Sequence, residues 1–385
     1  MMQTESGTTG RQYPLYARYP QLEVSLPRIP LSLLPSPVRE LTCVDGKCLW
    51  VKNDGLYGTL YGGNKPRKLE LVLPDVLAQG RRTLITFGAL GTNHGLATSL
   101  YAREQGLRTV LLLVDQPVTE GIRRQLCWLH ASGALLRYVG NDNDRMMQEL
   151  RFCRWRYADW LRRKRPYILP PGGSSVLGTV GFVNAGLELA DQVAAGELPE
   201  PSRVVVALGS SGTAAGLTLG MRLGGLKSRL VAVQIGRLSV ADPVAKLAND
   251  AAELLRERGA ELGDVKIESA DIDVITDCVG EGYGYSTVDG DRAIELFREK
   301  DGIDLEPTYT AKAAAACLRV AGSVAPDEAI LYWHTFNALP LPLPKPQPDD
   351  YRKLPRPFHR FFEPPFGVHD PVGRKMPSVS AGLTV

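Results

Sequence analysis

The most informative segment of this chain is Tyr61-Gly62-Gly63-Asn64-Lys65-Pro66-Arg67-Lys68-Leu69-Glu70. Two glycines, which adopt tight backbone conformations without a Cβ clash, lead into a lysine and then into a helical pattern. Pro66 suits the first turn of a helix, where its missing N–H is not needed. The pattern therefore predicts that Lys65 lies at a junction between a loop and a helix.

A lysine held at such a junction has two interpretations. Burial and the neighbouring cations Arg67 and Lys68 would lower the pKa of Lys65, and an amine with a lowered pKa is a nucleophile toward a carbonyl cofactor. Alternatively, the segment is only the basic start of a helix that contacts solvent. The segment alone favours the second interpretation, whereas the rest of the chain favours the first.

Length, composition and charge limit the function. The chain has 385 residues, enough for two domains with a large core, and an ordinary globular composition. Its formal net charge of +3 is small, so we expect neither a nucleic-acid nor a membrane partner. The sequence shows no bilayer-spanning apolar run and no secretory signal, which predicts a cytoplasmic protein. The six cysteines lack metal-type or Cys-x-x-Cys spacing and are expected to be reduced.

From residue 83 onward, short apolar strands alternate with loops and helices. Continuous runs of Val, Leu and Ile between helices are typical of parallel sheets covered on both faces. The predicted strands are 83–87, 109–114, 135–139, 167–170, 203–208 and 230–234. Helices are predicted to end near residues 79, 103 and 223, and to span 119–131, 142–164, 176–195, 240–258 and 311–320.

The flanking segments are expected to be less regular. Residues 1–35 are predicted to form an extended arm, and residues 41–52 a hairpin that turns at Asp45-Gly46. The basic run at 162–165 is expected to be the solvated end of a helix. Residues 340–377 are rich in proline, so we expect them to wrap the surface irregularly, with their phenylalanines packed on something.

A glycine-rich segment, Gly209-Ser210-Ser211-Gly212-Thr213, directly follows a predicted strand and opens a helix. Successive backbone N–H groups, hydroxyls and the positive end of a helix form a phosphate cradle. The segment lacks the lysine of a Walker loop, which argues against a nucleoside triphosphate. A plain tight turn is the alternative.

A second turn between a strand and a helix runs from Gly88 to Gly95. Because helix N-termini bind anions, a substrate carboxylate could sit here, and Asn93 could bond a ring hydroxyl. The alternative for Thr92 and Asn93 is ordinary helix capping, which the turn alone favours. His94 is either a pocket residue or a surface group of the capped helix.

Two tyrosines lie in loops that suit a pocket. Tyr283 is flanked by glycines, and Tyr309 lies in the loop that enters an alanine-rich helix. Tyrosines usually serve in packing, so these two gain a catalytic interpretation only in combination with the other motifs.

Taken in order, these motifs resemble those of pyridoxal-phosphate enzymes with the tryptophan-synthase-β fold, which is fold type II. The most similar group comprises the D-cysteine desulfhydrases and the 1-aminocyclopropane-1-carboxylate deaminases. The resemblance covers about residues 25–338, and several ordered motifs are far more specific than any one of them. The matching motifs are Gly62-Gly63-Asn64-Lys65 with Arg67-Lys68-Leu69-Glu70, Thr92-Asn93-His94, Gly172-Gly173-Ser174, Gly209–Thr213, Gly282-Tyr283-Gly284 and Pro307-Thr308-Tyr309-Thr310.

The resemblance implies an α/β fold of two domains. Each domain would be an open, mostly parallel, twisted sheet with helices on both faces, and pyridoxal 5'-phosphate would lie in the cleft between them. Residues 1–82 and 172–340 would form the large domain, residues 83–171 the small domain, and residues 341–385 a proline-rich extension. The family resemblance also implies a homodimer.

The resemblance also implies roles for individual residues. Lys65 would form the Schiff base with the cofactor and move the Cα proton, and Asn93 would bond the cofactor's phenolic oxygen. Thr310 would face the pyridine nitrogen. The phosphate would be held by Ser210, Ser211, Gly212 and Thr213. The substrate carboxylate would be received by Thr92, Asn93 and His94, and the pocket lined by Tyr283 and Tyr309, which could assist proton transfer.

The identity of Thr310 favours one reaction. A hydroxyl does not keep the pyridine nitrogen protonated as a carboxylate would, so the ring is a weaker electron sink. The deaminases typically have Glu at the position of Thr310 and Leu at that of Thr335. We therefore expect a lyase that expels a β-substituent from a small amino acid such as D-cysteine, giving a keto acid and ammonia.

Three departures from the family pattern place the substrate in doubt. Thr92 stands where serine is usual, and Ser175 where asparagine is common. Phe336-Asn337 replaces a usual Gly-Gly and is expected to add two side chains near the cofactor ring. The alternatives are therefore cyclopropane ring opening, β-replacement in a specialised biosynthetic pathway, and a cofactor-binding protein that has lost catalysis.

Overall fold

The computed structural model describes residues 13–32, 35–44, 46–236 and 240–364. Its strands are β1 (Val38–Glu40), β2 (Leu49–Asn53), β3 (Thr83–Ala89), β4 (Arg108–Val114), β5 (Leu135–Tyr138), β6 (Tyr167–Leu169), β7 (Arg203–Leu208), β8 (Arg229–Gln234), β9 (Ile272–Ile275) and β10 (Ile330–His334). Its α-helices are α1 (Pro14–Arg18), α2 (Leu22–Ser25), α3 (Asn64–Ala78), α4 (Asn93–Glu104), α5 (Glu120–Ala131), α6 (Asn143–Arg156), α7 (Val176–Ala194), α8 (Gly212–Leu223), α9 (Ala241–Glu257), α10 (Val288–Asp301) and α11 (Thr310–Ser323).

The strands form two sheets. One sheet has six strands in the order β1-β2-β10-β7-β8-β9, and the other has four in the order β5-β4-β3-β6. All pairings are parallel except the antiparallel pair of β1 and β2, in which Val38 lies opposite Lys52. The expected α/β architecture with two mostly parallel sheets is confirmed.

Both sheets are covered on two faces, as continuous apolar strands require. On the six-stranded sheet, one core includes apolar side chains of α7, α8 and α9, and another includes those of α10 and α11. On the four-stranded sheet, α4 and α5 contribute to one core and α6 to the other. Each of these helices therefore buries its apolar side chains against one face of a sheet.

Helix α3 lies between the two sheets and joins their cores. Leu71 belongs to the core of the six-stranded sheet, whereas Val72 and Val76 belong to that of the four-stranded sheet. On the first turn, the guanidinium of Arg67 is buried in ion pairs with Asp54 at 2.8 Å and Glu188 at 2.9 Å. The start of α3 is therefore anchored on several sides, which fixes the position of Lys65.

The hairpin before α3 is shifted from the predicted position. Its strands are 38–40 and 49–53, so the first strand ends before Cys43, and Asp45 lies outside the described residues. Strands β9 and β10 and helix α10 are not among the predicted elements, although β10 lies near the centre of the larger sheet.

The prediction of one helix over 142–164 is wrong. Helix α6 ends at Arg156, and a turn closed by backbone pairing of Asp159 with Lys164 follows. The Asp159 carboxylate accepts the N–H of Arg162 at 3.1 Å, a local bond that competes with helix formation. The basic run at 162–165 therefore lies in and after this turn and not on a helix.

The proline-rich segment 341–364, here called the C-terminal strap, packs on the four-stranded sheet. It contains two 3-10 helices, and Leu354, Phe358 and Phe361 are buried in the core formed with α4 and α5. The Trp128 indole donates to the carbonyl of Pro344 at 3.0 Å. The expectation that this segment is irregular and packs its phenylalanines is confirmed up to residue 364, and Phe366 lies outside the described residues.

No helix in the described part of the chain combines the length and apolar character that crossing a bilayer requires.

Candidate active site

A cavity of about 420 Å³ lies between the two sheets, where the carboxyl ends of several strands meet. Its walls come from the start of α3, the turn between β3 and α4, the loops after β6, β7 and β8, the start of α11 and the segment after β10. Ligands of open α/β sheets bind at this edge. Of the predicted site residues, the cavity is lined by Lys65, Thr92, Asn93, His94, Ser210, Ser211, Thr213, Tyr283, Tyr309 and Thr310.

Lys65 lies on the first turn of α3, as the glycine-lysine-proline pattern predicts. Gly63 has φ of 95°, and a Cβ there would lie 2.5 Å from the carbonyl oxygen of Thr335, so only glycine fits. Burial lowers the pKa of Lys65 to about 8, although the charge of Glu306 opposes the shift. The amine is thus far more often neutral near pH 8 than a solvated lysine is.

The glycine-rich segment after β7 forms a tight loop into α8. Ser211 has φ of 65°, which is rare for a residue other than glycine and reflects a sharply turned backbone. Residues from other segments of the chain hold this loop in place. Asn64 Nδ2 donates to Thr213 Oγ1 at 3.2 Å, and Ser174 Oγ lies 2.8 Å from Ser210 Oγ. Gly212 does not line the cavity, and its N–H donates to Ser174 Oγ at 3.3 Å.

Lys68 is not among the predicted site residues. Its buried Nζ donates to Ser174 Oγ at 2.8 Å and to the carbonyl of Gly172 at 3.1 Å, and burial together with the charge of Lys65 holds its pKa well below its ordinary value. A Cβ on Gly212 would lie 3.0 Å from Lys68 Nζ, so this nitrogen lies directly beside the loop after β7. The spacing of three residues from Lys65, which puts both lysines on one face of α3, could have indicated this.

The turn before α4 combines capping with pocket lining. Thr92 Oγ1 accepts the N–H of Gly95 at 3.0 Å, an ordinary N-cap, and Asn93 Oδ1 accepts the Tyr61 hydroxyl at 3.1 Å. His94 is buried between two threonine hydroxyls, with Thr86 Oγ1 2.9 Å from Nε2. Burial, together with Lys65 and Lys68, holds the pKa of His94 well below its usual value. His94 is therefore a neutral pocket residue, and the alternative of a surface group is wrong.

The two predicted tyrosines meet across the cavity. The hydroxyls of Tyr283 and Tyr309 lie 2.6 Å apart, and both residues line the cavity. Burial raises the pKa of Tyr283 to about 12, even though its bond to Tyr309 acts in the opposite direction. Lys312 on α11 donates to the carbonyls of Val279 at 2.8 Å and Gly282 at 2.9 Å, which ties the Tyr283 loop to the helix.

Glu306, which is not among the predicted site residues, lines the cavity beside Thr310. Glu306 accepts the N–H groups of Tyr309 and Thr310, both at 2.7 Å, so it caps α11 from within the cavity wall. Its carboxylate also lies 3.3 Å from the Thr310 hydroxyl. Burial raises the pKa of Glu306, which backbone hydrogen bonds oppose. Glu306 lies three residues before the N-cap Tyr309 and is not one of the residue types that usually cap helices, so no capping pattern in the sequence indicates it.

Comparison with known proteins identifies the family. A family model described as pyridoxal-phosphate dependent enzyme matches residues 28–335. This chain is a pyridoxal-phosphate dependent enzyme. Its expected class, a pyridoxal-phosphate-dependent lyase, is confirmed by relatives that match most of its length.

Two relatives resemble this pyridoxal-phosphate enzyme over nearly all of their own length. A putative 1-aminocyclopropane-1-carboxylate deaminase of Pyrococcus horikoshii is 34% identical over 326 residues, which is 84% of this chain and 93% of the relative. D-cysteine desulfhydrase of Klebsiella pneumoniae is 34% identical over 328 residues, 83% of this chain and 95% of the relative.

Solved structures agree with this assignment. The crystal structure of an ACC deaminase homologue superposes with a TM-score of 0.70 at 30% identity, covering 84% of this chain and 94% of that one. O-ureido-L-serine synthase has a TM-score of 0.56 at 14% identity over 80% of this chain and 90% of its own, and shares the fold alone.

The residues of this pyridoxal-phosphate enzyme fit the cofactor chemically. Lys65 supplies an amine of lowered pKa for an aldehyde. The start of α8 supplies N–H donors and a positive helix end for a phosphate, and the buried nitrogen of Lys68 lies beside it as a further donor. One cavity contains both ends of such a binding site.

The Phe336-Asn337 pair of this pyridoxal-phosphate enzyme does not crowd the cavity as expected. Only Phe336 lines it. The Asn337 amide oxygen accepts the N–H of Gly62 at 2.6 Å, and its nitrogen donates to the carbonyl of Leu339 at 2.8 Å. Asn337 therefore supports the glycine loop before Lys65, and the prediction that both side chains reach the cofactor is wrong for Asn337.

Proposed function

We propose that this lyase carries out β-elimination on a small β-substituted amino acid such as D-cysteine, giving a keto acid, ammonia and the expelled group. One observation carries the proposal: Thr310, and no carboxylate, occupies the cavity-lining first position of α11. Thr335 also lines the cavity, at the second position where the deaminases typically have another residue. Bound pyridoxal phosphate supplies an electron-withdrawing ring that makes the Cα proton acidic.

We assign proton transfer to Lys65, whose lowered pKa suits both release and uptake of a proton near neutral pH. Tyr283 and Tyr309 share a short contact between their hydroxyls and line the substrate pocket, where they assist proton transfer. His94, which is neutral, takes part as a hydrogen-bonding group and not as a positive charge.

We assign the cofactor phosphate to the loop after β7, with the nitrogen of Lys68 beside it as a further donor. Asn93 would bond the phenolic oxygen of the ring, and Thr310 would face the ring nitrogen. The carboxylate of Glu306 lies 3.3 Å from the Thr310 hydroxyl and also lines the cavity, so it adds its electrostatic effect at this position. The phosphate-binding residues are Ser210, Ser211 and Thr213, whereas Gly212 donates its N–H to Ser174 and lies outside the cavity lining. The substrate carboxylate is received by Thr92, Asn93 and His94.

We further propose that the enzyme is a cytoplasmic homodimer. Its large domain comprises residues 1–82 and 172–340, its small domain residues 83–171, and its extension residues 341–385. This division is supported by the two sheets, because β3 to β6 form the four-stranded sheet alone.

Two experiments test the proposal. Borohydride reduction of the native protein followed by digestion should attach the cofactor to the peptide that contains Lys65, and a tag elsewhere overturns the site. Incubation with β-substituted D- and L-amino acids should release keto acid.

The second experiment also separates the alternatives. Keto acid from 1-aminocyclopropane-1-carboxylate identifies a deaminase, although Thr310 and Thr335 argue against it. New amino acids on addition of thiols or amines identify β-replacement. A cofactor spectrum that responds to none of the amino acids identifies a protein without catalysis.

A further inference from the structure

A group of exposed apolar side chains lies on the four-stranded sheet unit, within residues 151–165. Leu161 is 99% exposed, Trp160 66% and Trp155 62%, and Phe152 is 42% exposed. The same fifteen residues contain seven of the chain's 45 basic residues and one of its 42 acidic residues. We call this surface the aromatic-basic patch: Phe152, Trp155, Trp160 and Leu161 with Arg151, Arg154, Arg156, Arg162, Arg163, Lys164 and Arg165.

The local backbone places two of the apolar side chains in an exposed turn. Helix α6 ends at Arg156, and Asp159 and Lys164 exchange two backbone hydrogen bonds of 2.8 and 3.0 Å. Trp160 and Leu161 therefore lie at the bend of a short closed turn. The one acidic side chain, Asp159, accepts the N–H of Arg162 and lies 3.8 Å from its guanidinium, so it serves the turn itself.

The patch is separate from the catalytic cavity. The residue of α6 that lines the cavity is Met146, about one and a half turns before the patch begins at Arg151. A twofold dimer contact is also disfavoured, because an isologous interface would place seven cations against the same seven cations. A binding partner of this patch must therefore accommodate both exposed apolar side chains and positive charge.

We propose that the aromatic-basic patch binds the surface of a bilayer that contains anionic phospholipids. A membrane interface takes tryptophan and leucine into the boundary between headgroups and acyl chains, and anionic headgroups attract the surrounding arginines and lysine. Leu161 and Trp160 are exposed at the bend of a closed turn, which favours a deformable surface over a pocket in a folded protein. The small net charge of +3 does not reveal this concentration of positive charge, because the rest of the chain has more acidic than basic residues.

The test uses the full-length holoenzyme and two kinds of vesicle, phosphatidylcholine alone and phosphatidylcholine with phosphatidylserine, in a sedimentation assay. We expect binding to the anionic vesicles only, weakening with salt. The variants W160A/L161A and R162E/R163E should each lower the partition coefficient about tenfold. A matched control, V24A/R292E, changes an exposed valine and an exposed arginine elsewhere and should bind like the unaltered enzyme.

Other results would overturn the proposal. The proposal fails if the holoenzyme binds neither vesicle at low salt, or if the control loses binding equally. Binding to polyglutamate or RNA that R162E/R163E abolishes and W160A/L161A leaves intact would indicate a general cationic surface. A change in the oligomeric state of W160A/L161A would indicate a contact between copies of the chain. The patch does not line the cofactor cavity, so cofactor absorbance verifies that each variant is folded.

Discussion

Two buried lysines, Lys65 and Lys68, lie one helical turn apart and differ in their surroundings. Lys68 has fixed acceptors in Gly172 and Ser174 beside the loop after β7. Lys65 faces the cavity, where Glu306 is the nearby carboxylate that opposes the effect of burial on its pKa. Burial and the neighbouring Lys65 also hold the pKa of Lys68 well below its ordinary value. The two lysines therefore differ in their contacts: the nitrogen of Lys68 is held by fixed acceptors, whereas that of Lys65 is open to the cavity.

The pKa of Lys65 gives a pH prediction. Its neutral fraction rises through a pH of about 8, so covalent capture of pyridoxal phosphate by enzyme stripped of cofactor should accelerate with a midpoint near that pH. In E306Q the midpoint should fall further, because the carboxylate favours the charged amine. Absorbance after mixing measures the rate. A midpoint near 10.5, the ordinary value for lysine, would mean that the amine is solvated.

Adjacent residues 336 and 337 should respond differently to substitution. F336G removes a side chain from the cavity wall and should extend the range of accepted β-substituents, with little loss of stability. N337G removes the support of Gly62 and should lower the melting temperature and cofactor occupancy, at a cost of about 1–3 kcal/mol for the unpaired N–H. Substrate panels and thermal unfolding of both variants make the comparison. Equal behaviour of the two would contradict the assignment.

Helix α11 organises one side of the site through its N-terminus. Tyr309 and Thr310 begin it, Glu306 caps it, and Lys312 on its first turn binds the loop that carries Tyr283. One element thus sets the position of both tyrosines, and damage to it should appear in the chemical step more than in folding.

Substitution of Lys312 tests this role. K312M keeps most of the volume but removes both bonds to the loop, so Tyr283 should lose its position and kcat should fall roughly 10²-fold. K312R, which can still donate, should retain more activity. Cofactor absorbance should be unchanged in both variants, because Lys312 does not line the cavity. A KM effect with unchanged kcat would contradict a role in positioning Tyr283.

Sequence patterns predicted the elements unevenly, for physical reasons. The runs of Val and Leu in β4 and β7 are continuous because both faces are buried, so they were recognised. Strand β10, Ile330–His334, combines aromatic and polar residues whose partners lie far apart in sequence, such as Trp333 Nε1 donating to Asp54 at 2.8 Å. The predicted helix over 142–164 was too long because basic residues, which are common in helices, continue through the turn that Asp159 closes.

The residues of the candidate site also differ in how well the sequence predicts them. Local signals located Lys65 and the loop after β7, since glycines and a helix start are encoded by neighbours in sequence. Lys68 and Asn337 act through partners more than a hundred residues away. The spacing of Lys68 from Lys65 indicates only the helix face on which it lies, and no local pattern indicates the role of Asn337.

At the scale of the whole molecule, the C-terminal strap joins the two sheets by packing and not by strand pairing. Phe358 and Phe361 contact the ring of Tyr138 edge-on, with ring centroids 5.8 and 5.5 Å apart, and Tyr138 in turn donates to Asp115 at 2.7 Å. Because Asp115 lines the cavity, the strap reaches the site through two side chains.

Truncation of a strap phenylalanine should therefore affect both stability and the site. F358A empties a fully buried position and should lower the free energy of unfolding by about 3–5 kcal/mol. The half-buried Phe362 gives the control: F362A should cost less than F358A. Chemical denaturation compares the two, and equal losses would show that the strap is only loosely packed.

The strap also has a mechanical consequence. The chain enters the four-stranded sheet before β3 and leaves it after β6, and two such covalent joints define a hinge axis about which the unit could swing. The strap is a third attachment away from those joints, so a wide swing would have to pull Phe358 and Phe361 out of their pocket. We therefore expect ligands to enter through small local displacements of the cavity walls, without a large rotation of the four-stranded sheet unit.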